Sequence, residues 1–229
     1  MKSLIFDAGP IISLATNNLL WILEPLKKKF NGKFYLTNAV KYELVNKPLE
    51  TKKFKFEAIQ VERLIEGGTL EIFDNSFIRQ ETPKLLSTAN EIFKAHNNYI
   101  KIVHFAEISV IAAAVNLNAD TIALDEKTTR FLIENPKMVL EILRKTLHTS
   151  ISINENNLST FKNTVRNIKT IRSTELVAIA YEQGLLNEYI TKIPDARKNL
   201  LESVLWGVKL NGCAVSKEEI EQILKLETK

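Results

Sequence analysis

Short apolar runs alternate along most of the chain with longer stretches in which apolar positions recur every three or four residues. Short runs bounded by polar residues predict buried strands, and the longer spacing predicts amphipathic helices. Strands are predicted at residues 3–6, 33–36, 70–73, 121–124 and 168–171, with a further short one at 151–153. Because helical segments separate these runs, the pattern predicts an α/β fold whose parallel sheet is covered by helices on both faces.

The most distinctive helical segment covers residues 105–117, where nearly every position is apolar. A helix that is apolar all round belongs in the interior of a protein rather than on its surface. A polar turn at 118–120 follows it, then the strand at 121–124, and Asp125 stands where that strand should end. Upstream, a further helix is predicted around residues 85–96.

The C-terminal part of the chain is predicted to be helical. One helix carries an apolar stripe formed by Leu200, Leu201, Val204, Leu205 and Val208. Such a stripe indicates core packing first and a symmetric dimer interface second. Because no linker rich in Gly, Pro or Ser marks an independent second domain, we predict an α/β domain over residues 1–190 and a helical extension packed on it over 191–229.

The composition narrows the classes of protein. The chain has 229 residues, of which 45% are hydrophobic and 25% charged, as in ordinary globular proteins. No apolar run approaches the roughly 20 residues of a membrane span, the N-terminus does not have the pattern of a signal peptide, and the single cysteine, Cys213, excludes an internal disulfide. We therefore expect a cytoplasmic protein that does not enter a membrane. The net charge of +4 permits an anionic partner without requiring one.

Two acidic residues stand at the ends of predicted strands, Asp7 after the first and Asp125 after the fourth. Ligands of open parallel sheets bind at these carboxyl ends. If the strand order is 3-2-1-4-5, the first and fourth strands are neighbours, and Asp7 and Asp125 come together. Glu43, in the helix after the second strand, and Glu107, at the start of the buried helix, can reach the same cleft. Taken singly, Asp125 can instead cap a helix and Glu107 can offset a helix dipole.

Four carboxylates in one cleft repel one another at neutral pH, so either some stay protonated or a cation joins them. An all-oxygen cluster without thiolate or imidazole suits Mg²⁺ or Mn²⁺, and the three histidines of the chain are dispersed. Such ions can activate a water and neutralise the charge that develops on a phosphodiester. The side chains therefore point towards metal-assisted phosphodiester hydrolysis.

Three segments resemble the motifs of PIN-domain nucleases, namely LIFDAGPIISLA, TNAVKYELVNKP and HFAEISVIAAAVNLNADTIALDEKTTR. The likeness is to prokaryotic members with an Asp-Ala-x-Pro first motif and an Asp-Glu-x-x-x-Arg fourth motif. It implies a three-layer α/β/α sandwich with a central parallel sheet, a Mg²⁺ or Mn²⁺ site and endoribonuclease activity. It maps the family's acidic quartet, catalytic and metal-binding, onto Asp7, Glu43, Glu107 and Asp125.

The resemblance covers residues 2–48 and 100–135 well and extends to C-terminal helices of such relatives. The chain departs from the family pattern at residues 104–106, where His-Phe-Ala replaces the usual glycine-bearing approach to Glu107. Residues 137–166 resemble an insertion into the PIN-like domain, which can cover the site or alter the choice of substrate.

Arg130 lies one turn into the helix of the fourth motif, where it can hold a substrate phosphate or pair with Glu126 or Glu134. Lys127 and Thr128 lie in the same turn and are grouped with Arg130 as candidate substrate-binding residues. Glu126 is expected to point away from the acidic cleft.

The leading interpretation is a metal-dependent endoribonuclease acting on single-stranded RNA. Further expectations are that it acts as the toxin of a toxin–antitoxin pair, with a protein antitoxin as its partner, and that it forms a homodimer. The alternative is a catalytically silent PIN-like module that binds RNA or a protein, against which the retention of all four acids argues. A phospho-acceptor receiver domain would use Asp74, which we predict to be a helix cap at the sheet edge, but it needs an acidic pair where Ala8 follows Asp7. A phosphatase of the Asp-x-Asp type fails because Gly9 replaces the second Asp.

Overall fold

The computed structural model describes residues 2–227. Within that range the strands are β1 (Ser3–Phe6), β2 (Lys33–Leu36), β3 (Glu71–Ile72), β4 (Phe93–Ala95), β5 (Asn98–Tyr99), β6 (Thr121–Ala123), β7 (Ser152–Ile153) and β8 (Lys169–Ile171). The α-helices are α1 (Ala8–Thr16), α2 (Leu23–Phe30), α3 (Asn38–Lys41), α4 (Lys47–Glu50), α5 (Lys55–Glu66), α6 (Ser76–Asn90), α7 (Phe105–Leu117), α8 (Lys127–Glu134), α9 (Pro136–Leu147), α10 (Glu155–Val165), α11 (Ser173–Glu182), α12 (Ala196–Leu210) and α13 (Lys217–Glu227). Short 3₁₀ helices lie at Leu20–Ile22 and Leu185–Tyr189, and a π-helical turn, Tyr42–Asn46, separates α3 from α4.

The central sheet is parallel and has the strand order β3-β2-β1-β6-β8. β1 lies in its middle, with Leu4 opposite Phe34 on one side and opposite Thr121 on the other. The predicted α/β class is confirmed, and the strand order is the one under which Asp7 and Asp125 come together. The N–H of Asp7 donates to the carbonyl of Ala123 at 2.9 Å and continues the pairing past the end of β1. The residues that follow β1 and β6 therefore share one edge of the sheet, where parallel sheets bind their ligands.

The helix α7 is buried along almost its whole length, with the bounds predicted from the sequence. It packs against β1, β6 and α6, and its alanines allow close approach to these neighbours. Ser109 is its one polar residue in the core, and its hydroxyl is satisfied by the hydroxyl of Thr37 at 2.7 Å and the carbonyl of Ala106 at 2.6 Å. The buried helix thus fixes the position of its own first turn, which carries Glu107, against the sheet.

A second, antiparallel sheet has the order β5-β4-β7. Of its strands only the region of β7 was predicted, and the helix predicted around residues 85–96 is wrong in its second half. The chain leaves α6 at Asn90 and forms a tight hairpin, in which His96 and Asn97 both adopt left-handed backbone angles, with φ of 46° and 67°. Two consecutive residues with positive φ make a turn that matches the twist of paired strands. Residues 93–99 therefore form a β-hairpin, although the spacing of their apolar residues predicted a helix.

The C-terminal helices belong to the same hydrophobic core as the sheet. Leu201, Leu205 and Val208 of α12 are fully buried within it, whereas Leu200 and Val204 are only partly buried. The core interpretation of the apolar stripe is confirmed for these three residues, and the domain boundary at 190 stays a prediction. No helix in the part of the chain that the structure describes is both long and apolar enough to cross a membrane.

Candidate active site

Asp7 is the buried centre of the acidic site. It follows β1 directly, is 5% exposed, and caps α1 by accepting the N–H of Gly9 at 3.3 Å. Burial, then the negative charge of Glu107 and more weakly that of Glu43, raise the pKa of Asp7 from 3.8 to about 7, against the lowering effect of the N–H groups of Ala8 and Gly9. A carboxyl in this environment is half protonated at neutral pH, so it responds strongly to any cation placed beside it.

Glu107 lies in the first turn of α7 and is partly buried. Its Oε2 accepts the N–H of His104 and the hydroxyl of Thr129, each at 2.9 Å. Burial and the charge of Glu126 raise the pKa of Glu107, while these hydrogen bonds and His104 lower it. Thr129 therefore ties the start of α8 to the start of α7 and orients the carboxylate of Glu107.

Glu43 stands on the π-helical turn Tyr42–Asn46 and is exposed. Its charge contributes to the raised pKa of Asp7, which places it within electrostatic reach of the buried acid. Single π-helical turns inside helices are frequent at functional sites. The structure thus brings together three of the four predicted acids electrostatically, namely Asp7, Glu43 and Glu107.

Asp125 is buried and held by serines of two helices. Its Oδ2 accepts the hydroxyls of Ser13 at 2.7 Å and of Ser173 at 2.8 Å, and its Oδ1 accepts the N–H of Ser173 at 2.7 Å. Ser173 opens the ten-residue helix α11, whose N-terminus favours a negative charge. The carboxylate of Asp125 therefore fastens α1 and α11 to the end of β6.

Asp7 and Asp125 are neighbours across Gly9, as the strand order predicts. A Cβ atom at Gly9 would lie 3.1 Å from Cβ of Asp125 and 3.5 Å from Oδ2 of Asp7. Only a residue without a side chain fits this gap without displacing one of the two acids.

Glu126 turns back over the start of α8 and acts on Glu107 only through its charge. Its carboxylate caps α8 by accepting the N–H groups of Thr128 and Thr129, and its charge raises the pKa of Glu107. The sequence signal for this position was its place as N-cap of the helix that follows Asp125, where an acidic side chain turns back over the helix start.

The four predicted acids do not form one metal-ligand set. Within residues 2–227 no three His, Cys, Asp or Glu side chains are arranged to hold a metal ion. Mg²⁺ needs only one or two protein carboxylates, because it keeps several waters and takes further oxygens from substrate phosphates. Asp7 and Glu107, two carboxyl groups whose pKa values are raised, fit that donor chemistry, with Glu43 beside them.

The candidate substrate-binding residues all lie at the start of α8. The guanidinium of Arg130 lies over the ring of Phe131 at 4.9 Å, and its Nη1 is 3.6 Å from Glu134, which is longer than a hydrogen bond. In the part of the chain described, Nε of Arg130 is buried without a hydrogen-bond partner. Lys127 also lies over Phe131, with Nζ 5.6 Å from the ring centre, while Thr128 contributes its N–H to the cap at Glu126.

Asp74 is not a helix cap, which corrects the prediction made for it. Asn75 caps α6, whereas Asp74 accepts hydrogen bonds from Asn38 at 2.6 Å and from Nε of Arg79 at 3.0 Å. Its strand, β3, lies at the edge of the sheet as predicted. Asp74 therefore makes polar contacts with neighbouring side chains at this edge of the sheet.

Comparisons with known proteins bear on this site. No curated protein and no solved structure matches the chain. A family model described as a PIN domain matches residues 3–139 and so includes all four predicted acids. That match covers more than half of the chain and agrees with the parallel sheet flanked by helices, so the protein belongs to the PIN-domain family.

Proposed function

We propose that the protein is a divalent-metal-dependent endoribonuclease whose catalytic centre is built around Asp7. Membership of the PIN-domain family indicates a nuclease-type function. That the substrate is RNA is part of our proposal. The observation that carries the proposal is the buried carboxyl of Asp7, whose pKa of about 7 reflects burial and the nearby charges of Glu107 and Glu43. Burial and mutual repulsion destabilise the ionised form of these carboxyl groups, and a bound cation would offset that destabilisation.

Mg²⁺ or Mn²⁺ would be held by Asp7 and Glu107, with Glu43 and Asp125 as the further predicted ligands. When bound, the ion supplies an activated water and neutralises the charge that develops on the phosphodiester. Asp125 stays a predicted ligand, and its hydrogen bonds to Ser13 and Ser173 support a role in fixing the scaffold beside the metal.

The residues of the chain itself position the reacting groups. The N–H of Gly9 and the hydroxyl of Thr129 hold the carboxylates of Asp7 and Glu107 in place, so that little reorganisation is needed when substrate binds. The guanidinium of Arg130, whose contact with Glu134 is a long one at 3.6 Å, would suit a phosphate oxygen of the bound strand, and Lys127 lies in the same turn. The exposed Glu43 lies where solvent and substrate can reach the buried acid.

The alternative is a catalytically silent PIN-like module. The raised pKa values of Asp7 and Glu107 argue against it, because perturbed pKa values cluster at functional sites. The partners remain predictions that rest on the family resemblance: single-stranded RNA, a protein antitoxin and a second copy of the chain.

The proposal is tested by cleavage of single-stranded RNA with Mn²⁺ and in excess chelator. We expect cleavage only with the metal, and a loss of at least about 100-fold in rate for Asp7→Asn and for Glu107→Gln, the magnitude typical of removing a charge-stabilising group. Asp74→Asn is the matched control, since it also removes a carboxylate beside the sheet but should leave the rate unchanged. Cleavage at full rate in chelator would refute the metal mechanism.

Melting curves separate metal binding from cleavage. Mn²⁺ at a hundredfold excess over its Kd should stabilise the wild type by about 2.7 kcal/mol, and Asp7→Asn should lose most of this gain while Asp74→Asn keeps it. A gain lost in Asp74→Asn and kept in Asp7→Asn would place the metal elsewhere.

A further inference from the structure

Residues 52–56, with the sequence Lys-Lys-Phe-Lys-Phe, run from the connection between α4 and α5 into the first turn of α5 and are all exposed. The side chains of Phe54 and Phe56 are 41% and 69% exposed, among the most exposed aromatic residues in the described part of the chain. The core does not account for Phe56, since the neighbouring apolar positions Ala58 and Val61 of α5 are buried while Phe56 is not. We name residues 52–56 the Lys-Phe segment.

Phe54 occupies its position against local preference. It precedes α5 as the N-cap residue with φ of 61°, in the left-handed region, and makes no side-chain cap hydrogen bond. Serine, threonine, aspartate or asparagine is preferred at an N-cap, and a bulky side chain with positive φ is a true outlier. Outliers of this kind persist where the side chain serves a function.

The lysines of the Lys-Phe segment are available for an anionic partner. Within residues 2–227 none of Lys52, Lys53 and Lys55 makes an ion pair, in contrast to Lys27 and Lys41, which pair with Glu71 and Glu62. Lys53 instead places its Nζ 4.7 Å from the ring centre of Phe54. The segment therefore combines free positive charge with exposed rings.

The Lys-Phe segment shares a small, mainly apolar cavity with one of the predicted acids, Glu43. Phe54 and Glu43 line this cavity together with Ile11, Ile12 and residues of α5. The charge of Glu43 in turn acts on Asp7. Phe54 therefore lies on the same cavity as Glu43, one of the four predicted acids.

We propose that the Lys-Phe segment is a stacking platform for unpaired bases of single-stranded RNA, with Lys52, Lys53 and Lys55 on the backbone phosphates. The proposal rests on the proposed nuclease function, because it assigns the substrate strand that leads to Asp7. Exposed rings among free lysines are how proteins bind single strands without reading their sequence. A protein partner with an apolar surface is disfavoured, since docking on Phe54 and Phe56 would bury the interleaved lysines without phosphates to pair them.

Binding in chelator, where the RNA is not cut, tests the platform directly. The probes are a fluorescent single-stranded RNA of about 12 nucleotides, within the usual site size, and an abasic oligomer with the same number of phosphates. Phe56→Ala should raise the Kd for RNA about tenfold, the effect of losing one stacked base, and leave the Kd for the abasic oligomer unchanged. The matched control is Tyr99→Ala on β5, a ring that is 47% exposed with Nζ of Lys94 at 5.5 Å, which should change neither.

The charges are tested by a triple variant of Lys52, Lys53 and Lys55 to alanine. The slope of log Kd against log salt for single-stranded RNA should fall by about 2, since each phosphate contact contributes roughly 0.7. The control is a triple variant in which three other exposed lysines, Lys137, Lys145 and Lys162, are changed to alanine. It removes the same charge and should leave the slope unchanged.

The outcomes separate this proposal from the nuclease function. If the wild type cleaves RNA but Phe56→Ala binds both oligomers as the wild type does, the platform is refuted and the nuclease stands. If the wild type does not cleave but Phe56→Ala loses only base-dependent binding, the platform stands and the nuclease falls. Equal binding of RNA and abasic oligomer by the wild type refutes stacking and leaves the segment to a protein partner.

Discussion

The carboxyl of Asp7 should make the stability of the metal-free protein depend on pH in a way that Asp7→Asn abolishes. Its pKa is about 7 in the folded protein, against an ordinary value of 3.8. Below pH 4 the group is protonated in both states and makes no difference. Between pH 4 and pH 7 the unfolded chain ionises while the folded protein keeps the proton, so ionisation favours unfolding.

The size of the effect follows from the two pKa values. They differ by about 3 pH units, and each unit corresponds to 1.36 kcal/mol, so the free energy of unfolding should fall by up to about 4 kcal/mol across this range because of Asp7 alone. The asparagine side chain can still accept the N–H of Gly9 but does not ionise. In chelator, Asp7→Asn should therefore gain stability relative to the wild type as pH rises from 4 to 8.

The assay is urea denaturation of wild type and variant at several pH values in chelator, with the difference in unfolding free energy plotted against pH. Taking the difference removes the titration of those carboxylates that do not interact with Asp7. A flat difference for Asp7→Asn between pH 4 and pH 8 would refute the raised pKa and, with it, the electrostatic argument for a cation at this site.

Two further substitutions test the neighbours of Asp7. Asp125→Asn should destabilise the metal-free protein by about 1–3 kcal/mol in urea denaturation, because an amide nitrogen replaces the carboxylate oxygen that accepts the hydroxyls of Ser13 and Ser173; stability equal to the wild type would show that these two bonds contribute nothing. Arg130→Ala should weaken RNA binding and lower the slope of log Kd against log salt by about 0.7, since one phosphate contact is lost. An unchanged slope would leave Arg130 as a structural partner of Glu134.

The sequence by itself determined the architecture. The alternation of short apolar runs with helical spacing predicted the strands of the central sheet and the buried helix α7, and the sheet has the assumed order. The strands and the helix depend on periodicity, which is a local property of the chain, whereas the strand order was assumed at that stage and is decided by pairing between distant segments. The order brings Asp7 and Asp125 to the two sides of Gly9, so the location of the acidic site followed from the sequence once that order was assumed.

Only the tertiary structure decided which way each acid turns. Asp125 is drawn to Ser13 and Ser173, residues 112 and 48 positions away in the chain, and Glu126 turns back over the start of α8, near Glu107. Asp74 pairs at the sheet edge instead of capping α6. A carboxylate is oriented by whichever donors the fold brings to it, and those donors come from distant parts of the chain, so residue type and spacing do not fix its direction.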